Sequence, residues 1–318
     1  MDPQLSFEQR CDQVGRVLAG CNQRFDANET AAVTRALEHV KSRTYDIKYP
    51  ALKGRELVPV SNEVNTGAES VVYEQWDEVG EAKLLANHAD DLPAVDAIVR
   101  EFSGMVKSIG CFFSYSIQDL RRAAMTGSQL DLRKARAARM FVERRIDEII
   151  AYGDAEAGLT GFFGLSASTP VLAATGNWSG LTHAQILVDL HTLANSIVTL
   201  TKGVEIPDTI VLPVPQYSLI ATSNNATTDR STLEVFLAQT PYIKQVIPWF
   251  KAAGAGAAGV DRAVAYRKDP EVLEMDVPQE FEMMPLQPQN LAFKVPCHAR
   301  VGRVTCPYPL AVAYQDGI

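Results

Sequence analysis

The chain has 318 residues, of which 47% are hydrophobic and 21% charged, enough to bury a sizeable core in one large or two smaller domains, a composition that argues against disorder. Thirty Lys and Arg stand against 38 Asp and Glu, a formal net charge of -8; this argues against a protein that wraps nucleic acid directly, though not against one that encloses it. The opening MDPQLSFEQR lacks a basic region followed by an apolar core, and no window reaches about 18 consecutive apolar residues, so neither a secretory leader nor a membrane span is expected.

Residues 1–44 carry apolar side chains at helical spacing (Leu5, Val14, Val17, Leu18, then Ala32, Val33, Ala36, Leu37, Val40) and read as an arm leading into the main body. Pro50, Gly54 and Pro59 then forbid a helix over 49–60 on this reading. Val58–Val64 and Ser70–Trp76 are strand-like on either side of the turn Asn65-Thr66-Gly67-Ala68, which predicts a hairpin, and Gly80 allows a further bend. Its apolar residues are sparse and its acids many. A two-stranded hairpin of this kind is marginal alone and must lie on something else.

Asp90-Asp91-Leu92-Pro93 closes the segment, a mixed stretch runs to Ser114, and Ser116 with Asp119 resembles a capping box opening a short helix that Gly127-Ser128 interrupts. The strongest periodic element is Leu130–Tyr152, stopped by Gly153. Leu132, Ala135, Ala138, Val142, Ile146 and Ile149 form its apolar stripe. Arg133, Lys134, Arg136, Arg139, Arg144 and Arg145 form a basic flank, expected to be solvated or paired with acids such as Glu143 and Asp147. Residues 153–180 are an irregular Gly/Ser/Thr-rich connection. A helix follows over Thr182–Leu200, with Thr182 and Gln185 at its start, Gly203 past its end, and a buried stripe of Ile186, Leu190, Leu193, Ile197 and Leu200. Thr209–Leu212 reads as a buried strand, Ser231 with Glu234 caps a third helix ending before Pro241, and Tyr242–Phe250 and Arg262–Tyr266 read as strands. Leu291, Phe293, Val295, Cys297, Ala299 and Val301 alternate along a half-buried strand, for which Arg303–Tyr314 is the expected partner.

No motif supports chemistry. Gly254-Ala255-Gly256-Ala257-Ala258-Gly259 matches GxGxxG, but strand-like Val260–Tyr266 follows where a dinucleotide site needs a helix, so a flexible loop is expected. His183 and His191 lie eight apart, which is not a metal-pair spacing, and HExxH, GxxxxGK[ST] and GxSxG are absent. His298 with Cys297 and Cys306 is the one nucleophile–base candidate, and its strand context makes core or surface placement the expectation. The five cysteines (Cys11, Cys21, Cys111, Cys297, Cys306) contain no CxxC and are expected to be reduced thiols; a hairpin would let Cys297 and Cys306 approach each other, and the alternative, a zinc site, would need closer spacing and histidine partners. No catalytic, cofactor-binding or metal-ligating residue is therefore assigned.

The order of hairpin, long helix, α/β unit and terminal return strand resembles the Hong Kong 97-type capsid fold. The run TYDIKYPALKGRELVPVSNEVNTGAESVVYEQWDEVGEAKLLANHADDLPAVD, then YSIQDLRRA, AARMFVERRIDEIIAYGD, GLTGFFGL and the ending YPLAVAYQDGI are similar to a family of tailed-bacteriophage major capsid proteins once described only as a domain of unknown function, over Tyr45–Ile318. The resemblance implies an α+β fold with an N-terminal arm (1–48), an extended E-loop hairpin with its flanks (49–100), a P domain with a long spine helix (101–178), an A domain (179–277) and P-domain return strands (278–318). It also implies self-assembly into pentamers and hexamers of an icosahedral virion head. Such a head encloses double-stranded DNA without reading its sequence and is assembled in the cytoplasm of a bacterial host. No membrane is involved, and portal, scaffolding and decoration proteins are the candidate partners. The short arm implies a separate scaffolding protein or none. Some relatives crosslink an E-loop lysine to an asparagine; here Lys83 is the only lysine in the hairpin region, nothing in the sequence marks an asparagine for such a crosslink, and the side chain is expected to be solvated. An encapsulin-like compartment, a small-molecule enzyme and a tail or decoration protein are the competing readings.

Overall fold

The computed structural model of the chain describes residues 49–84, 93–126, 133–166, 168–223 and 230–318. The expected arm over 1–44, Cys11, Cys21, Asp90–Leu92, the Gly127-Ser128 break and the helix start at Leu130–Leu132 lie outside the described residues. The chain divides into two compact units, residues 1–50 and 51–318; the architecture below is that of the second.

In chain order its elements are α1 (Gly54–Leu57), β1 (Val60–Ser61), β2 (Ser70–Gly80), β3 (Val95–Met105), β4 (Lys107–Ser116), α2 (Ile117–Thr126), α3 (Arg133–Tyr152), β5 (Gly153–Asp154), β6 (Leu159–Thr160) and β7 (Val171–Ala173). There follow α4 (His183–Leu200), β8 (Thr209–Leu212), α5 (Val214–Thr222), α6 (Thr232–Gln239), β9 (Gln245–Pro248), β10 (Arg262–Tyr266) and β11 (Glu274–Asp276). The last elements are β12 (Gln279–Met283), β13 (Gln287–Gln289), β14 (Ala292–Val301), β15 (Val304–Thr305) and β16 (Val312–Asp316). Helices and sheets are mixed in one α+β unit.

A five-stranded sheet runs β7-β16-β10-β8-β9. Its inner strands β8 and β10 are buried on both faces, so TIVL and RAVAY are continuous runs rather than alternating ones. Val211, Val264, Tyr266, Val312 and Tyr314 face one core together with Ile146 and Ile150 of α3, Phe162 and Trp249. Ile210, Leu212, Ala263, Ala265 and Ala313 face a second core under α4, with Ile186, Leu190, Leu193 and Ile197. The small alanines on this second face let the helix approach the sheet closely. Leu200, expected in the stripe, is 47% exposed: the last turn of α4 overruns the sheet.

The second layer is built on β14, the centre of a four-stranded sheet. It pairs antiparallel with β4 over Ala292↔Ser116 through Val301↔Lys107, and with β12 and β13 on its other side. Alternation along β14 buries Cys297, Ala299 and Val301, and Ile109 and Cys111 of β4 pack against the core that holds Ala299 and Val301. The buried face of α3 (Ala138, Val142, Ile146, Ile149, Ile150) belongs to this layer.

Local signals hold at several ends. Gln185 Oε1 accepts the Thr182 N–H at 2.9 Å, and Ser231 Oγ accepts the Glu234 N–H at 3.2 Å. The Ser116 hydroxyl caps Gln118 N–H at 3.2 Å rather than closing a box with Asp119. Gly153 follows α3 with φ +74°, and a Cβ there would lie 2.2 Å from the Leu159 carbonyl, so only glycine fits this stop.

Other expectations give way. The hairpin does not pair 58–64 with 70–76. The turn is present, with Ala68 N–H on Asn65 O at 3.0 Å, but β1 pairs parallel with β11 and β2 pairs with β3. The mixed stretch before Ser114 is thus two long strands, β3 and β4. A single helical turn, α1, forms despite Gly54, because its Gly54 N–H donates to Asp147 Oδ1 of α3 at 2.6 Å and it ends before Pro59. Residues 242–250 contribute only the strand Gln245–Pro248. Helix α5 is not anticipated by the pattern; Pro215 sits in its first turn, where a missing N–H costs nothing. Arg303–Tyr314 is not the partner of β14: β15 pairs with β11, and β16 pairs with β10 and β7.

Candidate assembly surfaces

The β2–β3 hairpin has eleven pairs, Ser70↔Met105 through Gly80↔Val95, and neither strand joins another sheet. Side chains alternate between its two faces. One face carries Val72, Glu74, Trp76 and Glu78 opposite Ser103, Glu101, Val99 and Ala97; the other carries Tyr73 opposite Phe102, stacked with centroids 5.2 Å apart. Trp76 is 64% exposed and Val95 74%. No residue of β2 or β3 is buried. This is a long exposed ribbon, acidic overall but with apolar side chains such as Val72, Trp76 and Val99 uncovered, and with no core of its own.

The root of the hairpin is held from the end of β14 and the stretch after it. Arg300 donates to the carbonyls of Thr66 and Ala68. Arg303 lies across Gly104, where a Cβ would meet its Nε at 2.7 Å. Below it, Glu274 and Asp276 sit at the β11–β15 junction. Burial raises both carboxyls, each further raised by the charge of Glu63, while Arg303 pulls Asp276 the other way. Beside the root a groove of about 950 Å³ runs between the Tyr73–Phe102 face and the loop Cys306–Ala311.

The candidate chemistry disperses. Cys297 lies opposite Cys111, not Cys306; all three are free thiols. Burial raises the Cys297 and Cys111 thiols and pushes Cys306 up to about 12, the reverse of an activated nucleophile. His298 Nε2 is 4.0 Å from Glu282. His183 Nδ1 bonds Thr232 Oγ1 at 2.7 Å and His191 Nε2 bonds Gln239 Oε1 at 2.8 Å, so both histidines fasten α6 to α4. The GxGxxG segment leads into β10; Gly254 N–H donates to Asp261 at 2.9 Å and Ala257 N–H to Asp316 of β16 at 3.1 Å, so these groups close the loop and tie it to the sheet. Among the described residues no group of three or more His, Cys, Asp or Glu is arranged to hold a metal, and no helix is long and apolar enough to cross a membrane.

With chemistry dispersed and unpartnered surface concentrated on one hairpin, the comparisons are decisive. The family described as "Major capsid protein" matches residues 80–318. The chain belongs to the major capsid protein family. Its function is to form a capsid shell, and its place is the virion of a tailed phage. The fold agrees. It is similar to the capsid of Myoviridae phage XM1 (TM-score 0.78, 19% identity, covering 93% of this chain and 100% of that one). It is also similar to a chain from Mycobacterium phage Cain (TM-score 0.62, 12% identity, 93% and 100% covered) and to a virus-like particle from Pyrococcus furiosus (TM-score 0.52, 12% identity, 82% and 91% covered). No curated protein sequence is matched. For a capsid subunit the hairpin is the element to examine. Its first strand was legible from Ser70–Trp76, whereas β3, which supplies Val95, Val99 and Phe102, was not. Its signal is a run of β-branched and aromatic residues without proline, blurred because both faces are exposed.

Proposed function

We propose that this capsid subunit builds pentamers and hexamers of an icosahedral head that encloses double-stranded DNA, assembled in the host cytoplasm and acting without catalysis, cofactor or metal. In Hong Kong 97-like terms, 1–48 is the arm, 49–100 the E loop with its flanks, 101–178 the P domain with α3 as spine, 179–277 the A domain and 278–318 the return strands. The last of these, β16, is shared with the A-domain sheet. Portal, scaffolding and decoration proteins are its further partners. The observation that carries this reading is the hairpin: eleven paired residues per strand, none buried, with Trp76 and Val99 side by side. A two-stranded ribbon of that length is marginal in water, and a neighbouring subunit supplies the missing layer.

Cryo-electron microscopy of native particles, with the nuclease-protected nucleic acid measured alongside, tests it. Closed icosahedral shells holding DNA, with each hairpin lying on a neighbour, are expected. Shells filled with protein would instead indicate an encapsulin-like compartment, and a monodisperse monomer would overturn the assembly reading.

A further inference from the structure

Charged residues make up 21% of the chain, yet they avoid one layer of it. Residues 157–201 hold a single one, Asp189. It is 3% exposed, and its carboxylate accepts the Thr175 N–H at 3.2 Å and the Trp178 indole N–H at 3.0 Å, so it serves the interior. The layer is built by α4, α5 and α6, which pack on the second core. Between them these helices carry only Asp189 and Glu234, whereas α3 alone carries nine charged residues. The outward stripe of α4, opposite Ile186, Leu190, Leu193 and Ile197, is Ala184, Val188, Thr192, Asn195 and Thr199, all exposed. A helix face meant for solvent is ordinarily charged. Here even the polar groups are engaged within the subunit: Thr192 Oγ1 donates to the Val188 carbonyl at 2.7 Å, and Asn195 Oδ1 accepts the Tyr242 hydroxyl at 2.7 Å. Val188, 59% exposed, stands among them without cover.

We infer that this neutral face of α4 is a seam against a second copy of the chain, used in pentamers and hexamers alike, an inference that rests on the assembly reading above. Depletion of charge is the compositional mark of an interface centre. Nucleic acid does not fit, because the stripe offers phosphates no cation. A separate protein held by this face alone would be short of area. The 18 residues of α4 form a helix about 27 Å long whose face offers on the order of 300 Å², against roughly 800 Å² per partner in a stable complex. A second copy needs less, because the hairpin contact proposed above already keeps it close at high effective concentration. Neutrality also suits two ring sizes. Charge-assisted hydrogen bonds fix one geometry, whereas small uncharged side chains with their polar groups satisfied pack at more than one angle, as five- and six-membered rings require.

The test compares wild-type subunits with Val188→Glu/Thr192→Lys, which keeps the net charge and adds a Glu–Lys pair at helix-supporting spacing. Val188→Ala/Thr192→Ala is the neutral control. Both variants are expected to melt at the wild-type temperature as unassembled subunits, and the alanine pair to form shells. For the charged pair the yield of closed shells by sedimentation is expected to fall about tenfold or more, since every seam must then desolvate an ion pair that water solvates in the free subunit. Reconstruction of wild-type shells should show α4 against a neighbouring copy in both ring types. Normal shell yield from the charged pair would overturn the inference, as would lowered melting temperatures in both variants, which would mean that the face packs within the subunit. Wild-type shells with α4 in solvent, under a different protein, or against a neighbour in only one ring type would overturn it while leaving the assembly reading intact. Wild-type protein that forms no pentamers or hexamers would overturn that reading and the inference with it.

Discussion

Asp147 lies on the long helix α3 and is 2% exposed. Its Oδ1 accepts the Gly54 N–H at 2.6 Å, and its Oδ2 is 2.5 Å from Nζ of Lys251, itself 8% exposed. One carboxylate thus ties α1 and the turn Phe250–Ala252 to α3. Removing two ions from water costs several kcal/mol each, and their attraction offsets this only while both are present. Asp147→Ala strands a buried ammonium and a buried N–H, and is expected to cost about 3–5 kcal/mol. The loss should be read as a lower urea midpoint of the unassembled subunit, and Asp147→Leu with Lys251→Met should recover most of it. A cost no larger than that of breaking the surface pair Lys244–Asp208 would remove the pair from this role. The sequence pointed to Asp147 as a partner for the helix's own arginines. Its neighbours Ile146 and Ile150 show why it is not: that stretch of the helix is inside, and its partner comes from far along the chain. Short-range capping was legible because Ser231 and Thr182 act within three residues; Asp147 was not, because its partners lie 93 residues away and further.

At the scale of the element, periodicity exposed what has one buried face and hid what has two or none. Helices α3 and α4 and the strand β14 each bury one side and were found. Strands β8 and β10, buried on both faces, were legible as short apolar runs. Strand β3, exposed on both, was not, and β2 therefore acquired the wrong partner. The hairpin's energetic isolation gives it a distinct mutational signature. Trp76→Ser with Val99→Ser is expected to leave the far-ultraviolet circular dichroism and melting temperature of the unassembled subunit unchanged, because neither side chain contributes to a core. The same pair should sharply reduce shell formation in sedimentation, since truncating an aromatic anchor at the centre of an interface costs about 2 kcal/mol or more. A lowered melting temperature with normal assembly would mean that this face packs within the subunit.

At the scale of the molecule, the order of elements was legible and their pairing was not. The family resemblance rests on segments met in sequence, from the Tyr45 run to YPLAVAYQDGI, whereas the parallel pairs β1–β11, β7–β16 and β8–β9 join segments with no local signal of partnership. The largest consequence concerns the C-terminal strand. Read as the partner of β14, β16 would be an edge that the subunit could lose. In the fold it lies between β10 and β7, with Val312, Ala313, Tyr314 and Gln315 all buried. It also fastens what came before it. Tyr314 Oη donates to the Phe162 carbonyl at 2.6 Å, and Arg262 Nε reaches Asp316 at 2.6 Å while its Nη1 donates to the Phe163 carbonyl at 2.6 Å. Val312 and Tyr314 belong to one core and Ala313 to the other, so both cores close only when the final residues arrive. A chain ending at Ala311 is therefore expected to lose both at once, appearing as insoluble or protease-sensitive protein. A chain lacking the hairpin residues 71–104, with a short flexible link in their place, should remain soluble and protease-resistant but fail to assemble. If the truncated chain instead gave a stable folded subunit, β16 would be an ornament on a sheet already complete. If the hairpin deletion unfolded the subunit, the hairpin would belong to the core. The opposite pair of outcomes separates the part of the sequence that makes the subunit from the part that makes the shell.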